Sequence, residues 1–239
     1  MFQIETAGLT IRIENRFDYV RELCAAYLAP GTRPADFAVS VSAEELRLER
    51  EKTPAYLYSD EQAESVIVCE KICCALPAFD AFVMHSSAVA ADGKAYAFAA
   101  ASGVGKSTHT RFWRQVLGGR LTVINGDKPI YRFRDGQLLA CGTPWCGKEN
   151  WQTNTSAPLA ALCLLERAEE NAVLPADPGK VLGEIVRHFH LPPGGQTDLV
   201  KTMELIDRMT ALVPVFRLRC RNDVSAAETA AAYFGLRRE

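Results

Sequence analysis

The sequence predicts an α/β (α+β-like) chain: a mixed sheet with antiparallel hairpins, flanked by helices and carrying a phosphate-binding loop, behind a small N-terminal α+β cap. Three observations predict it. Residues 94–117 (KAYAFAAASGVGKSTHTRFWRQVL) run from an alternating apolar segment through a glycine loop into Phe112, Val116 and Leu117 at helical spacing. Asp92-Gly93 just before them is a strong hairpin signal, so the strand entering the loop has an antiparallel neighbour, whereas an ordinary phosphate-loop strand belongs to a parallel βαβ unit. After the loop helix, a short apolar strand, Leu121–Ile124, ends in Asn125-Gly126-Asp127-Lys128.

The loop itself is Ser102-Gly103-Val104-Gly105-Lys106-Ser107. Gly103 and Gly105 let the backbone turn its N–H groups inward, the helix that follows aims the positive end of its dipole at the same place, and Lys106 adds a point charge. A polyphosphate fits such a cradle, and Ser107 carries the hydroxyl expected on Mg²⁺ beside the β- and γ-phosphates. The full pattern has glycine five residues before Gly105; here Ala100 stands there, which requires φ < 0 at that position. Asp127, at the end of the next strand, supplies the acid that a nucleotide site needs, as a Mg²⁺ ligand or as a proton acceptor.

From the start of the chain, Phe2–Glu5 and Leu9–Glu14 read as strands around Ala7-Gly8, Phe17–Leu28 as an amphipathic helix stopped by Pro30-Gly31, and Phe37–Val41 as a strand. These make the cap, residues 1–55, with the boundary near 52–60; residues 56–239 form the nucleotide-binding part. Ser59-Asp60-Glu61 opens a helix that Pro77 ends. Phe82–Ala90 is a strand, and a second hairpin, Ile130–Arg134 and Gln137–Cys141, turns at Asp135-Gly136. Pro158–Glu166 reads as a central strand and 166–171 as an exposed turn. Pro178–Phe189 is a helix, Pro192-Pro193-Gly194-Gly195 a break, Asp198–Leu212 a helix, Val213–Cys220 a strand and Ser225–Phe234 an alanine-rich helix.

Composition narrows the function. The 239 residues are 48% hydrophobic with a net charge of −2, which gives no electrostatic footprint for nucleic acid. Arg217, Arg219 and Arg221 alternate along a strand, and with Arg237-Arg238 they read as solvated surface. No charged and then apolar leader opens the sequence and no run approaches eighteen apolar residues, so no membrane partner is expected and the chain reads as cytoplasmic. The eight cysteines match neither a zinc pattern nor a disulfide scaffold; Cys146 alone lies in a polar loop, and it too reads as inert. His188 and His190, two apart in a helical stretch, point to different faces, which argues against a shared metal and places both on the surface. His109, just after Ser107, reads as polar filler at the edge of the nucleotide site.

The run His85-Ser86-Ser87-Ala88-Val89-Ala90, a turn, a second strand, the loop Ser102–Ser107 and a later strand ending in Asp127 resemble the catalytic domain of the bacterial HPr kinase/phosphorylase family. More distantly they resemble the ATP-dependent phosphoenolpyruvate carboxykinases, which share that fold. The resemblance spans roughly residues 82–170. It implies a P-loop kinase fold of that type, ATP and Mg²⁺ as cofactors, and an active-site histidine matched by His85. Serine (Ser86) replaces the glycine of the family's His-Gly pair, Gly126 stands where the first acid of an Asp-Asp pair would be, and Thr108 replaces the glutamate after Lys-Ser. The family's Arg-Gly-x-Gly loop has a loose counterpart in residues 141–148.

The resulting expectation is an ATP-dependent phosphotransferase acting on a hydroxyl of a peptide, protein or small molecule. Asp127, His85 and Lys106 are its catalytic residues, Ser102, Gly103, Val104, Gly105, Lys106, Ser107 and Thr108 hold the nucleotide, and Ser107 and Asp127 hold the metal. The alternative is a non-catalytic nucleotide-binding regulator, in which Gly126 marks lost chemistry. Residues 142–156 (GTPWCGKENWQTNTS) are too apolar for an idle linker. Trp145 and Trp151 either pack on the sheet or shape an acceptor pocket as the ends of a lid, and Lys148 and Glu149 between them are candidates to clamp an anionic acceptor or the transferred phosphoryl group. Self-association into a homo-oligomer is left open.

Overall fold

Two of the hairpins are dictated by residues that tolerate positive φ: Asp92 and Gly93 (φ 50° and 76°) and Asp135 and Gly136 (φ 50° and 75°) turn adjacent strands back on themselves. In the computed structural model, which describes residues 1–31, 33–52, 59–101, 103–191 and 198–236, the chain makes a small sheet and a large one. The small sheet holds β1 (Phe2–Thr6), β2 (Leu9–Glu14) and β3 (Phe37–Ser40), in that order. Between β2 and β3 lies α1 (Asp18–Leu23), shorter than its sequence pattern predicts. A single 3₁₀ turn, Ala25–Tyr27, follows it, because the chain leaves the helix to lay Leu28 beside Ile4 and to donate the Ala29 N–H to Gln3 O. Helix α2 (Ala43–Lys52) was not read from the sequence; Ser42 and Glu45 cap its start reciprocally.

Helix α3 (Asp60–Ala75) begins at Ser59 with a capping box to Gln62. Its apolar side (Ile67, Val68, Ile72) joins Ile4, Leu9, Ile11 and Val20 of the N-terminal elements, together with Ala81, Val83 and Ile130 of the large sheet, in one buried cluster. The segment 82–90 does not form one strand. It divides into β4 (Ala81–Val83) and β5 (Ser86–Ala91), which have different partners. The backbone groups at the break are taken by residues 188–190: Met84 bridges Phe189, the His85 N–H donates to His188 O, and the His190 N–H donates to Val83 O.

Strand β6 (Lys94–Ala99) leads into α4 (Lys106–Leu117), followed by β7 (Thr122–Asn125), the hairpin β8 (Ile130–Arg134) and β9 (Gln137–Cys141), and the long β10 (Ser156–Arg167). Then come β11 (Ala172–Pro175), α5 (Pro178–Val186), α6 (Leu199–Leu212), β12 (Val215–Cys220) and α7 (Ser225–Tyr233). The large sheet runs β4-β8-β9-β10-β6-β5-β7, and β12 pairs with both β10 and β11. Strand β10 is the pivot: its start is antiparallel to β9, while its later part is parallel to β6 and β12. The sheet is therefore mixed, as the hairpin before the glycine loop predicts.

Alternation along β6 divides the core between the two faces of the sheet. Ala95, Ala97 and Ala99 pack in one cluster with Ile185, Leu205, Ile206 and Met209 of α5 and α6, while Tyr96 and Phe98 pack in another with Trp113, Val116 and Leu117 of α4 and with α7. Residues 53–58, where the cap boundary was expected, the break at 192–195 and Arg237-Arg238 lie outside the described residues. Among the described residues, no helix is long and apolar enough to cross a membrane.

His109 packs into this core, and it also lines a cleft between the start of α4 and the ends of β10 and β12. Its Nε2 accepts the indole N–H of the fully buried Trp113 at 2.9 Å, and burial pushes its pKa down from 6.5 to about 3. Between those values the folded chain binds fewer protons than the unfolded one. The contribution is thus complete above about pH 6.5 and is lost as the pH falls toward about 3, by up to about 1.4 kcal/mol per pH unit. His109→Gln can still accept the indole N–H and should flatten that part of a urea-denaturation profile taken across pH; equal slopes in the two proteins would assign the effect to another group.

Candidate active site

Because β5 runs antiparallel between β6 and β7, its first residues lie beside the last residues of both neighbours: Ser86 pairs with Ala99, and its N–H donates to Asp127 O at 3.1 Å. This topology brings together the three residues predicted to be catalytic. Lys106 Nζ lies 2.9 Å from His85 Nε2 and donates to Ala100 O at 3.1 Å, and His85 Nδ1 lies 3.2 Å from Asp127 Oδ1. An ammonium has no lone pair, so Lys106 donates to Nε2; the imidazole proton then sits on Nδ1 and donates to Asp127. Burial, and after it the Lys106 charge, hold the His85 pKa below its usual value against the opposing pull of Asp127, which keeps the ring neutral at neutral pH. Burial lowers the Lys106 pKa, and Asp127 opposes that shift.

Around this trio the local structure is heavily tied. Gly103 and Gly105 have φ of 80° and 126°, conformations that residues with a side chain rarely adopt, and α4 begins at Lys106 directly after them. Ser107 and Thr108 are half-buried in its first turn, and Val104 packs against the α4 cluster. Ser102 lies outside the described residues. Thr110 Oγ1 donates to Lys106 O and meets Ser87 Oγ at 2.7 Å, which ties α4 to β5. Arg167, in the stretch expected to be an exposed turn, ends β10 and donates to Gly103 O and Val104 O at 2.5 and 3.2 Å, which supports the loop.

Asn125 sets the orientation of Asp127. Fully buried, it accepts the N–H groups of Asp127 and Lys128 on Oδ1, both at 2.8 Å, and donates through Nδ2 to Thr143 O and Oγ1 at 2.9 and 3.0 Å. The loop 142–153 is thereby docked on the Asp127 turn. The Gly126 N–H donates to Trp151 O, the Thr153 N–H donates to Ile124 O, and a Cβ on Gly147 would come within 3.0 Å of Asp127 Cβ. Gly126 is glycine for the same reason: a Cβ there would lie 3.1 Å from Cys146 O. Where the resemblance has a second acid, this chain has the backbone of its own loop.

The two loop tryptophans go separate ways. Trp145 packs on the N-terminal cluster and donates its indole N–H to Ser65 Oγ at 3.0 Å, so it is structural. Trp151 lies alongside α4, with the Arg114 and Arg111 guanidinium carbons 5.2 and 5.9 Å from its ring. They do not bracket a free lid, since backbone bonds anchor the loop at both ends. Lys148 is exposed at its tip, and Glu149 lies 3.8 Å from Arg111. Cys146 is buried, which raises its pKa and agrees with an inert thiol.

Sequence reasoning misplaced His188 and His190. Helix α5 stops at Val186, and the residues that follow turn and pair with 83–85, so these histidines sit beside His85 and not on a solvated helix. No local pattern announces a ladder between segments a hundred residues apart. Lys128, whose Nζ is 3.9 Å from Asp127 Oδ2, was also passed over, although it adjoins the predicted acid in sequence.

Among solved structures, this fold is similar to that of the Hpr(Ser) kinase/phosphatase from Coxiella burnetii. The TM-score is 0.39 at 10% sequence identity, over 64% of this chain and 90% of that one. No protein-family model and no curated protein matches the sequence.

Removing the Asn125 carboxamide strands two backbone N–H groups and the Thr143 pair, so Asn125→Ala should destabilise the chain by roughly 2–4 kcal/mol in urea denaturation. Restoring the second acid should fail for steric reasons. Gly126→Asp is expected to cost about 1–3 kcal/mol of stability, from forcing the 146–151 backbone outward; a melting temperature equal to the parent's would show that the loop yields freely.

Proposed function

We propose that this chain is an ATP-dependent phosphotransferase that delivers the γ-phosphoryl group to a hydroxyl. The observation that carries this reading is the His85 imidazole, held between the Lys106 ammonium and the Asp127 carboxylate at the mouth of a loop with two positive-φ glycines and a helix start. A phosphate-binding loop explains why these groups converge: N–H groups and Lys106 for the polyphosphate, and a base and an acid on its open side.

This reading puts the nucleoside beside the same loop. A cleft between the start of α4 and the ends of β10 and β12 is lined by Val104, Thr108, Phe112, Leu165, Arg167 and Asn222. Phe112 and Leu165 give it an apolar wall against which the edge of a base would pack. The donor set fits magnesium: the Ser107 hydroxyl and the Asp127 carboxylate are hard oxygen donors, and no group of three or more His, Cys, Asp or Glu forms a protein cage among the described residues, so phosphate oxygens and water would complete the shell. Bound there, the ion neutralises charge on the β- and γ-phosphates.

In the mechanism, Lys106 leaves His85 for the phosphates and so frees the Nε2 lone pair. Nε2 takes the proton of the acceptor hydroxyl while the acceptor oxygen forms its bond to the γ-phosphorus. The bond from that phosphorus to the β-phosphate bridging oxygen breaks, and ADP departs. Asp127 keeps the proton on Nδ1, fixes the tautomer and stabilises the imidazolium that forms. The dyad thus supplies the base without the second acid that Gly126 displaces.

Lys106→Ala should weaken Mg·ATP binding roughly tenfold or more in titration calorimetry, because a charge-assisted contact is lost. Asp127→Asn should bind Mg·ATP within a few-fold of the parent yet transfer label from γ-labelled ATP to an accepting cell fraction about 10²–10⁴ times more slowly. Equal turnover would remove the dyad from the chemistry, and a wild-type protein that binds no nucleotide would end the kinase reading.

A further inference from the structure

Opposite His85, across the short ladder that closes the β4–β5 break, lies a segment the mechanism has not used. Met84 pairs directly with Phe189 in antiparallel register, so His85 faces His188 and Val83 faces His190. The two backbone bonds agree: the His85 N–H to His188 O at 2.6 Å and the His190 N–H to Val83 O at 2.9 Å. Met84 and Phe189 both point into the core, where the Phe189 ring stacks on Phe82 at 4.5 Å between centroids. Alternation therefore puts His85, His188 and His190 on the opposite face, with cross-strand Cβ atoms about 5 Å apart. His188 is 7% exposed, and among the described residues neither its ring nor that of His190 makes a hydrogen bond, while the ring nitrogens keep access to solvent.

We propose that His188 and His190 form the acceptor side of the site and hold the phosphate-monoester group of the phosphorylated product, and before transfer the hydroxyl that receives it. The proposal rests on the kinase reading. A neutral imidazole offers one N–H donor and one acceptor, which suits a hydroxyl before transfer and a phosphate oxygen after it. Burial keeps both rings neutral. Of the charges that face them, Lys106, His85 and Arg187 act with burial on His188 and Glu184 acts against; Lys128 and His85 act with burial on His190 and Asp127 acts against. Glu184 is itself engaged by Arg217 at 2.8 Å, so it does not close the face to an anion. With Lys106 committed to the nucleotide, these rings and Lys128 are what the acceptor meets on the side away from ADP.

The chain has four histidines, which makes imidazole NMR of ¹⁵N-histidine-labelled protein a direct test. Mg·AMP-PNP should move the His85 signals, because Lys106 leaves Nε2. Adding O-phosphoserine to the Mg·ADP complex should then shift His188 and His190 saturably, with serine giving a weaker response and His109 none. The His188→Gln, His190→Gln double variant should bind phosphoserine at least about fivefold more weakly while its Mg·ADP affinity stays unchanged. A His85 response to nucleotide with silent His188 and His190 overturns this inference alone. No His85 response to nucleotide brings down the kinase reading and this inference with it.

Discussion

One buried carboxamide fixes the geometry on which the site depends. Asn125 ends β7 with no access to solvent, and its five polar contacts run in two directions: Oδ1 accepts from the Asp127 and Lys128 amides, and Nδ2 donates to the carbonyl and hydroxyl of Thr143 and to Trp145 O. A buried amide left half-paired would cost about 1–3 kcal/mol for each group, so the two segments cannot separate cheaply. The acid at the strand end and the loop 142–153 therefore move as one body. That loop reaches back to the first strand, where Thr6 Oγ1 donates to Gly142 O at 2.6 Å and Asn154 Nδ2 donates to Glu5 O at 3.2 Å. The N-terminal sheet thus braces the turn that carries Asp127.

What was legible in the sequence was what short-range physics decides. Hairpin turns at Asp92-Gly93 and Asp135-Gly136, the glycine loop and the period of the helix after it are local patterns, and each appears where the residues place it. Helix α2 was legible too, through the Ser42–Glu45 capping pair, but its mean polarity concealed it. The convergence of His85, Lys106 and Asp127 could be anticipated because an antiparallel strand inserted between two parallel ones must bring its start to their ends. The illegible parts are long-range. The split of 82–90 into two strands depends on residues 188–190 arriving to satisfy the broken backbone, and the role of Trp145 depends on a serine hydroxyl eighty positions away.

Gly126 shows how a glycine beside a candidate acid can have a packing cause. Read beside an Asp-Asp pair, a glycine suggests decayed chemistry. Its surroundings suggest a different account: the Cys146 and Trp151 carbonyls crowd the place a side chain would occupy, and the Gly126 N–H is used to hold Trp151 O. At this position the chain has a close-packed loop where a side chain would otherwise stand. The remaining acid does not stand alone, because His85 Nδ1 meets it at 3.2 Å. An aspartate with an imidazole partner can orient and charge-compensate a base, which a lone aspartate would have to replace by acting as the base itself.

The resting state has an energetic consequence for nucleotide binding. Lys106 is not left waiting in solvent; it donates to a neutral imidazole nitrogen and a backbone carbonyl at 2.9 and 3.1 Å. Both bonds are donated by a charged group and are worth about 1.5–3 kcal/mol net each, so releasing the ammonium costs on the order of 3–6 kcal/mol. Contacts to phosphate would add a full opposite charge on the acceptor, so under the proposed function the exchange would run toward the nucleotide. A neutral or singly charged ligand would not offset the cost so well. Under the proposed function, the His85–Lys106 contact would therefore favour a polyanion over a neutral ligand, and it would couple nucleotide binding to the exposure of Nε2. In that mechanism the base would be freed only when a phosphoryl group is at hand to transfer.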